Sequence, residues 1–222
     1  MGVIQHLPCR DRVPIDAPLM LHPLPEATPW SGAIAYLDRD GVLNIGSENY
    51  VNSPSEVILL PHVANCIARL RRSGMRIAVV TNQSPIGRGY WDSENLALIH
   101  DQIQKLLLIE DEDAILDLIL HSPYVPNQNA WARKPNPGML EAARQLINHA
   151  ESAKEWSELS LRFASDWVER PSESDSVMVG DRISDMAAAK AFGVRSLLCP
   201  AELGLSAVIN DIIPSHIKET KR

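Results

Sequence analysis

The 222-residue sequence has too few cysteines, in the wrong places, for a metal knuckle or a disulfide framework: Cys9, Cys66 and Cys199 stand far apart and form no CxxC pair. That spacing excludes the usual structural zinc sites and fits a reducing compartment. No glycine-rich GxGxxG turn and no Walker A lysine loop follows any apolar run, which removes the common dinucleotide and ATPase readings. No apolar run approaches the roughly 20 residues needed to cross a bilayer, and residues 1–12 lack a basic stretch followed by an apolar core. We therefore expect a soluble cytoplasmic protein with no membrane partner. Positive charge is also short: the net charge of -7 argues against a nucleic-acid scaffold, because nonspecific binding to phosphate backbones feeds on basic patches. No internal repeat or low-complexity tract is present, and the length suits one α/β domain.

What is present centres on residues 33–41, Ala-Ile-Ala-Tyr-Leu-Asp-Arg-Asp-Gly. An apolar run of strand length ends in Asp38 and Asp40 and then Gly41. Such runs suit a buried central strand of a parallel sheet, and ligands of open α/β sheets bind outside the carboxyl ends of the strands. Two neighbouring acids repel unless a cation or a proton separates them. An EF-hand loop also starts Asp-x-Asp, but its sixth and twelfth positions would here be Leu43 and Asn49 rather than glycine and glutamate.

Along the chain, residues 1–32 are interrupted by Pro8, Pro14, Pro18, Pro23, Pro25 and Pro29 and read as an extended arm without chemistry. Strands are expected at 33–38, 76–81, 114–120, 176–180 and 194–198. Helices are expected at 61–73, from 93 (with Ser93 as its cap) to 109, from about 138 to 149, and at 184–192. Residues 85–90 read as a loop, and 150–174 read as a short helical insertion whose tryptophans anchor packing. Residues 201–222 read as a short helix and a frayed tail. Strand and helix alternate, so the fold class is α/β with a doubly wound parallel sheet. The gaps 40–81 and 81–134 are too short for a separate cap domain, which leaves an open site closed only by loops.

Three expected strands end in polar groups: Asp38 and Asp40, then Thr81 and Asn82, then Asp181 with Asp185 four residues on. Lys134 lies in a loop ahead of a helix. Gathered at one sheet edge, these acids, a hydroxyl, an amide and one cation fit phosphoryl transfer, where positioning and charge neutralisation dominate. Asp38-Arg39-Asp40-Gly41, Thr81-Asn82-Gln83, Lys134-Pro135 and Gly180-Asp181-(x)₃-Asp185, in that order, resemble the motifs of the haloacid dehalogenase (HAD) superfamily of aspartyl-phosphate phosphatases. The finer text, residues 38–44, Tyr50-Val51, 81–84, Arg88-Gly89 and 133–139, is similar to the heptose 1,7-bisphosphate phosphatase and histidinol-phosphatase branch.

That resemblance implies a Mg²⁺-dependent phosphatase. Asp38 would be the nucleophile and Asp40 the general acid and base. Mg²⁺ would be held by Asp38, the backbone carbonyl of Asp40, and Asp181, with Asp185 orienting the site from outside. Thr81, Asn82 and Lys134 would bind the phosphoryl group, and Arg88 and Arg133 the rest of a small phosphorylated substrate. A sugar phosphate, with a heptose bisphosphate as the best single choice, leads. Histidinol phosphate or a polynucleotide 3'-phosphate is the alternative, and a catalytically silent binding module on this fold is the reading of another class. Members of this branch commonly carry three cysteines and a histidine just before Arg-Lys-Pro. Residues 120–132 here offer His121 and no cysteine, so no structural zinc is expected, and His121 is read as a satisfied or surface histidine. The loop after Gln83 also departs, with Pro85 where the family favours glycine and Gly87 where it favours alanine, so the substrate is less fixed than the chemistry. A monomer is favoured.

Overall fold

The computed structural model describes residues 6–152 and 154–213. Five parallel strands, β1 (Ile34–Leu37), β2 (Arg76–Asn82), β3 (Leu118–Ser122), β4 (Val177–Gly180) and β5 (Arg195–Leu198), form one sheet in the order β3-β2-β1-β4-β5. The helices between and after them are α1 (Val63–Arg72), α2 (Ser84–Gly87), α3 (Ser93–Glu110), α4 (Gly138–Glu151), α5 (Ile183–Phe192) and α6 (Ile209–Ile212). Side chains of β1 alternate between two cores, as a strand buried on both faces requires. Ala35 and Leu37 pack with Val63, Ile67 and Leu70 of α1 and Ile99 and Ile103 of α3, while Ile34 and Tyr36 pack with Met139 and Leu146 of α4 and Phe192 of α5. Strand order reverses beside β1, with β2 on one side and β4 on the other, and that switch point is where an open α/β sheet leaves a crevice. Among the described residues no helix is long and apolar enough to cross a membrane.

Several boundaries differ from expectation. Helix α3 is capped by Asp92 rather than Ser93: the Asp92 carboxylate accepts from the Asn95 N–H at 2.9 Å. β3 starts at Leu118, not at 114, because Ala114 and Ile115 close turns onto Asp111 and Asp113 at the end of α3. Asp117 then enters as a buried carboxylate. It accepts from the Ile77 N–H at 2.8 Å and meets Arg71 at 2.6 Å and Arg76 at 2.9 Å. The segment 85–90 contains the single turn α2. Beyond the end of α4, the described residues of 152–174 hold two 3₁₀ turns, Trp156–Glu158 and Ala164–Asp166, tied back by the buried pair of Glu173 with Arg144 and by Arg170 reaching the buried Glu141. Trp167 stacks on Phe192 at 6.2 Å, and Trp156 meets His149 edge-on at 4.8 Å. After β5 a 3₁₀ turn, Gly204–Ala207, and α6 pack on α1; the rest of the expected tail, 214–222, and residues 1–5 of the arm lie outside the described residues.

From residue 6 the arm lies against the sheet edge. Cys9 and His121 exchange backbone hydrogen bonds, each 2.9 Å, so the arm pairs with the last turn of β3. Leu7, Ile15, Leu19 and Trp30 pack on the core beneath α4 and α5.

Candidate active site

Register sets the floor of the site. Leu37 pairs with Val79 and with Val179, so Asp38, Thr81 and Asp181 emerge side by side at the carboxyl edge. The Asp38 N–H still donates to the Val179 carbonyl at 2.9 Å, which holds the residue in the line of the sheet. The chain then turns back at Gly41, whose φ of +75° suits glycine and where a Cβ would lie 2.6 Å from Asp181 Oδ2. The close approach of the two loops depends on the missing side chain.

Lys134 reaches this floor from the loop before α4. Its Nζ lies 2.9 Å from Asp38 and 2.6 Å from Asp185, and all three side chains are nearly inaccessible. Burial alone would lower the Lys134 ammonium, yet Asp38 and Asp185 together raise it, so the lysine is charged. Burial outweighs Lys134 at Asp38 and pushes its carboxyl up to about 6, with Asp185 adding to the rise. The side chain of Asn82 is committed to the same loop. Its amide donates to the Lys134 carbonyl at 3.0 Å, and its oxygen accepts from the Lys134 N–H at 3.1 Å. Asp185, in the first turn of α5, accepts from the Arg182 N–H at 3.0 Å.

Asp40 is held differently. Arg39, 1% exposed, turns inward and grips both Asp40 oxygens from Nη2 at 2.9 and 2.8 Å, while Asn44 donates at 2.9 Å and Gln83 at 3.2 Å. Burial would raise the Asp40 carboxyl, but the Arg39 guanidinium and these donors hold it below the usual carboxylate range. Gln83 also donates to Thr81 Oγ1 at 2.9 Å, linking the two.

Carboxylate oxygens of Asp38, Asp181 and Asp185 lie within 4.8 Å of one another. Oδ1 of Asp181 is buried and has no hydrogen-bond partner among the described residues, so it retains lone pairs for a cation. Three oxygens so arranged suit a hard divalent ion that prefers oxygen ligands and keeps some waters. Burial raises the Asp181 carboxyl, with Arg182 at 3.7 Å opposing the rise and Asp185 adding to it.

Above the floor is a cleft of about 360 Å³ lined by Asp38, Asp40, Thr81, Asn82 and Lys134, with Arg88, Arg133 and Arg182 also in its wall. The structure thus brings together every residue singled out in the sequence: Asp185 and Asp181 join the floor through the acid group, and Arg88 and Arg133 stand in the wall. Arg39, Gln83 and Arg182 were not singled out. Gln83 had a readable signal, since i and i+2 on a strand share a face and Gln83 follows Thr81 at that spacing. Arg39 had none, because its inward course depends on partners distant in sequence.

A parallel sheet with acids at its switch point and a buried lysine between them defines a hydrolase of the phosphoryl-transfer type. The HAD-hydrolase-like family model matches residues 131–201. A D-glycero-beta-D-manno-heptose-1,7-bisphosphate 7-phosphatase of Pseudomonas aeruginosa is 33% identical over 175 residues, 79% of this chain and 85% of that protein. Among solved structures, the D,D-heptose 1,7-bisphosphate phosphatase of Bordetella bronchiseptica, complexed with magnesium and phosphate, aligns at TM-score 0.59 and 25% identity over 81% of this chain and 99% of that one. A HAD-like phosphatase of Mesorhizobium loti aligns at TM-score 0.61 and 26% identity over 95% and 96%. The chain belongs to the HAD superfamily, in the branch that contains these phosphatases.

Proposed function

We propose that the protein is a Mg²⁺-dependent phosphatase that cleaves a phosphomonoester of a sugar through an aspartyl-phosphate, with D-glycero-D-manno-heptose 1,7-bisphosphate, cleaved at the 7-phosphate, as its substrate. The observation that carries this reading is the Lys134 ammonium, 2.9 Å from Asp38 and 2.6 Å from Asp185 at the foot of the cleft. A buried cation beside a carboxylate at a strand end suits an acid that must receive an anion. Asp38 attacks phosphorus and keeps the phosphoryl group while the sugar alkoxide departs; water then releases phosphate and restores the carboxylate. Asp38, Asp181 and the Asp40 carbonyl would hold Mg²⁺, which when bound screens the negative charges of nucleophile and phosphoryl group from each other. Asp185 fixes Lys134, and Asn82 fixes the loop that carries it, so Thr81 and Lys134 are the side chains left to bind phosphoryl oxygens.

Asp40, held ionised by Arg39, suits the second half of the reaction, in which it takes a proton from the attacking water. In the first half it must carry a proton to the leaving oxygen, and the dianionic phosphate favours that form by raising a neighbouring carboxyl. Arg88, Arg133 and Arg182 give the cleft a cationic wall suited to a second phosphate. The same wall disfavours histidinol phosphate, whose distal end is a cationic amine, and the net charge of -7 disfavours a polynucleotide. We place this activity in the cytoplasm, in carbohydrate metabolism, in a monomer without structural zinc. In residues 120–132, where the branch commonly binds zinc, the arm supports the loop instead: the His6 ring sits 4.7 Å from Tyr124 and the His6 carbonyl accepts from Ala132 at 3.0 Å.

The test is turnover of heptose bisphosphate, histidinol phosphate and a 3'-phosphorylated oligonucleotide with Mg²⁺. The expected order has heptose bisphosphate first. Asp38→Asn should retain the fold and lose turnover by at least about 10³-fold. Near wild-type activity in that variant would remove Asp38 from the nucleophile's place, and no turnover of any phosphoester by the wild type would favour a silent binding module.

A further inference from the structure

The proline-rich arm carries one acid that points into the domain. Asp11 Oδ2 lies 2.7 Å from Nδ1 of His100, a buried residue of α3, and Oδ1 lies 3.4 Å from Nδ1 of His121 on β3. His100 in turn presents Nε2 to Nη1 of Arg39 at 3.5 Å, and Arg39 grips Asp40 with its other nitrogens. Asp11, His100, Arg39 and Asp40 therefore form one line running from the arm to the carboxylate that handles protons.

Chemistry fixes the direction of this line. A guanidinium only donates, so Nε2 of His100 must accept, and the ring proton is left on Nδ1, where it donates to Asp11. Burial lowers the His100 ring more than Asp11 raises it, and Asp11, although partial burial would raise it, is held far below the usual carboxylate range by the two histidines. A neutral imidazole between an anion and a cation matches that assignment. We propose that Asp11 is a positioning residue for the reaction: through His100 it orients Arg39, and Arg39 holds Asp40 where it can deliver a proton to the leaving oxygen. The arm is thus part of the working site and not only a strap across the β3 edge.

This inference rests on the phosphatase reading, so wild-type turnover of p-nitrophenyl phosphate and of heptose bisphosphate with Mg²⁺ is measured first; turnover of neither would overturn both readings. With wild-type activity in hand, Asp11→Ala in the full chain should lower kcat/KM on heptose bisphosphate roughly 10- to 100-fold. It should lower kcat/KM on p-nitrophenyl phosphate by less than about threefold, because that leaving group departs without a proton. Asp11→Asn keeps an oxygen for the Nδ1 proton and should recover most of the loss. Arg12→Ala removes the exposed arm contacts to Glu94 and Asp101 without touching His100, and should leave both substrates unchanged. If Asp11→Ala does not fold, His100→Phe, which keeps a ring but neither nitrogen, carries the same leaving-group test. An equal loss on both substrates, an equal loss in Arg12→Ala, or no loss in Asp11→Ala would overturn the role of Asp11 while leaving the phosphatase reading intact.

Discussion

Lys134→Met keeps the aliphatic stem of the buried lysine and deletes its charge, and it tests whether the floor is assembled around that charge. In the wild type the ammonium faces Asp38 at 2.9 Å and Asp185 at 2.6 Å, with Asp181 in the same acid group. Removing one partner of a buried pair strands the other, which typically costs about 3–5 kcal/mol. For a chain of this length, that loss lowers the melting temperature by roughly 6–20 °C. Its pH dependence has a definite sign. Asp38 is already pushed up to about 6, and without Lys134 it rises further. A carboxyl raised above its unfolded value contributes stability that is present at low pH and lost as pH rises through the folded value. The deficit of Lys134→Met should therefore be full at pH 7.5 and shrink at pH 5. Mg²⁺ at 100 times the dissociation constant should raise the stability of any form that binds it by about 2.7 kcal/mol, and the deficit shrinks only to the extent that the variant binds Mg²⁺ more tightly than the wild type. Thermal melts at both pH values, with and without Mg²⁺, read all three effects, and turnover should fall roughly 10²- to 10³-fold. A variant that melts with the wild type at pH 7.5, or whose deficit is the same at pH 5, would refute the claim that Lys134 neutralises these acids.

Two further outcomes follow from the same structure. Because Asp38 is about half protonated near pH 6 in the metal-free protein, Mg²⁺ binding at that pH should release about half a proton, and essentially none at pH 8. Calorimetry in two buffers of different ionisation enthalpy measures this, and equal heats at pH 6 would contradict it. Asp117→Ala should cost about 3–5 kcal/mol in denaturant unfolding, since it strands the buried Arg71 and leaves Arg76 paired with Glu151 alone, while leaving KM unchanged because Asp117 enters at the opposite end of β3 from the site. A loss under 1 kcal/mol, or a shifted KM, would count against this reading of the cluster.

The sheet and the floor were legible in the sequence for one reason: each depends on a local pattern. An apolar run followed by polar groups marks a strand end wherever it occurs, and three such ends can only meet at one edge of a parallel sheet. Features set by long-range pairing were not legible. The start of β3 depends on Asp117 meeting Arg71, Arg76 and the Ile77 N–H, and nothing in residues 114–120 announces those partners. The 3₁₀ turns of 150–174 follow from Glu173 and Arg170 reaching back to α4, which local propensity cannot foretell. Asp11 was invisible because proline density marks the arm as extended but does not say which side chain faces inward.

Charge explains why the floor and the cleft wall differ in composition. Asp38, Asp181 and Asp185 with Lys134 leave two negative charges in a nearly dry space, which would repel a phosphate dianion. The metal-free protein relieves part of that charge by the raised Asp38 carboxyl, and a divalent cation balances it fully. With that balance, Arg88, Arg133 and Arg182 outnumber Glu48 in the rest of the lining, so the remaining field over the cleft is positive and favours an anion. The floor is fixed by strand register and cannot vary without losing the chemistry, whereas the arginines sit on loops that can change length and sequence while the sheet stays as it is. On the proposed reading, substrate choice belongs to the loops at 88, 133 and 182, while the strand ends supply the phosphoryl chemistry.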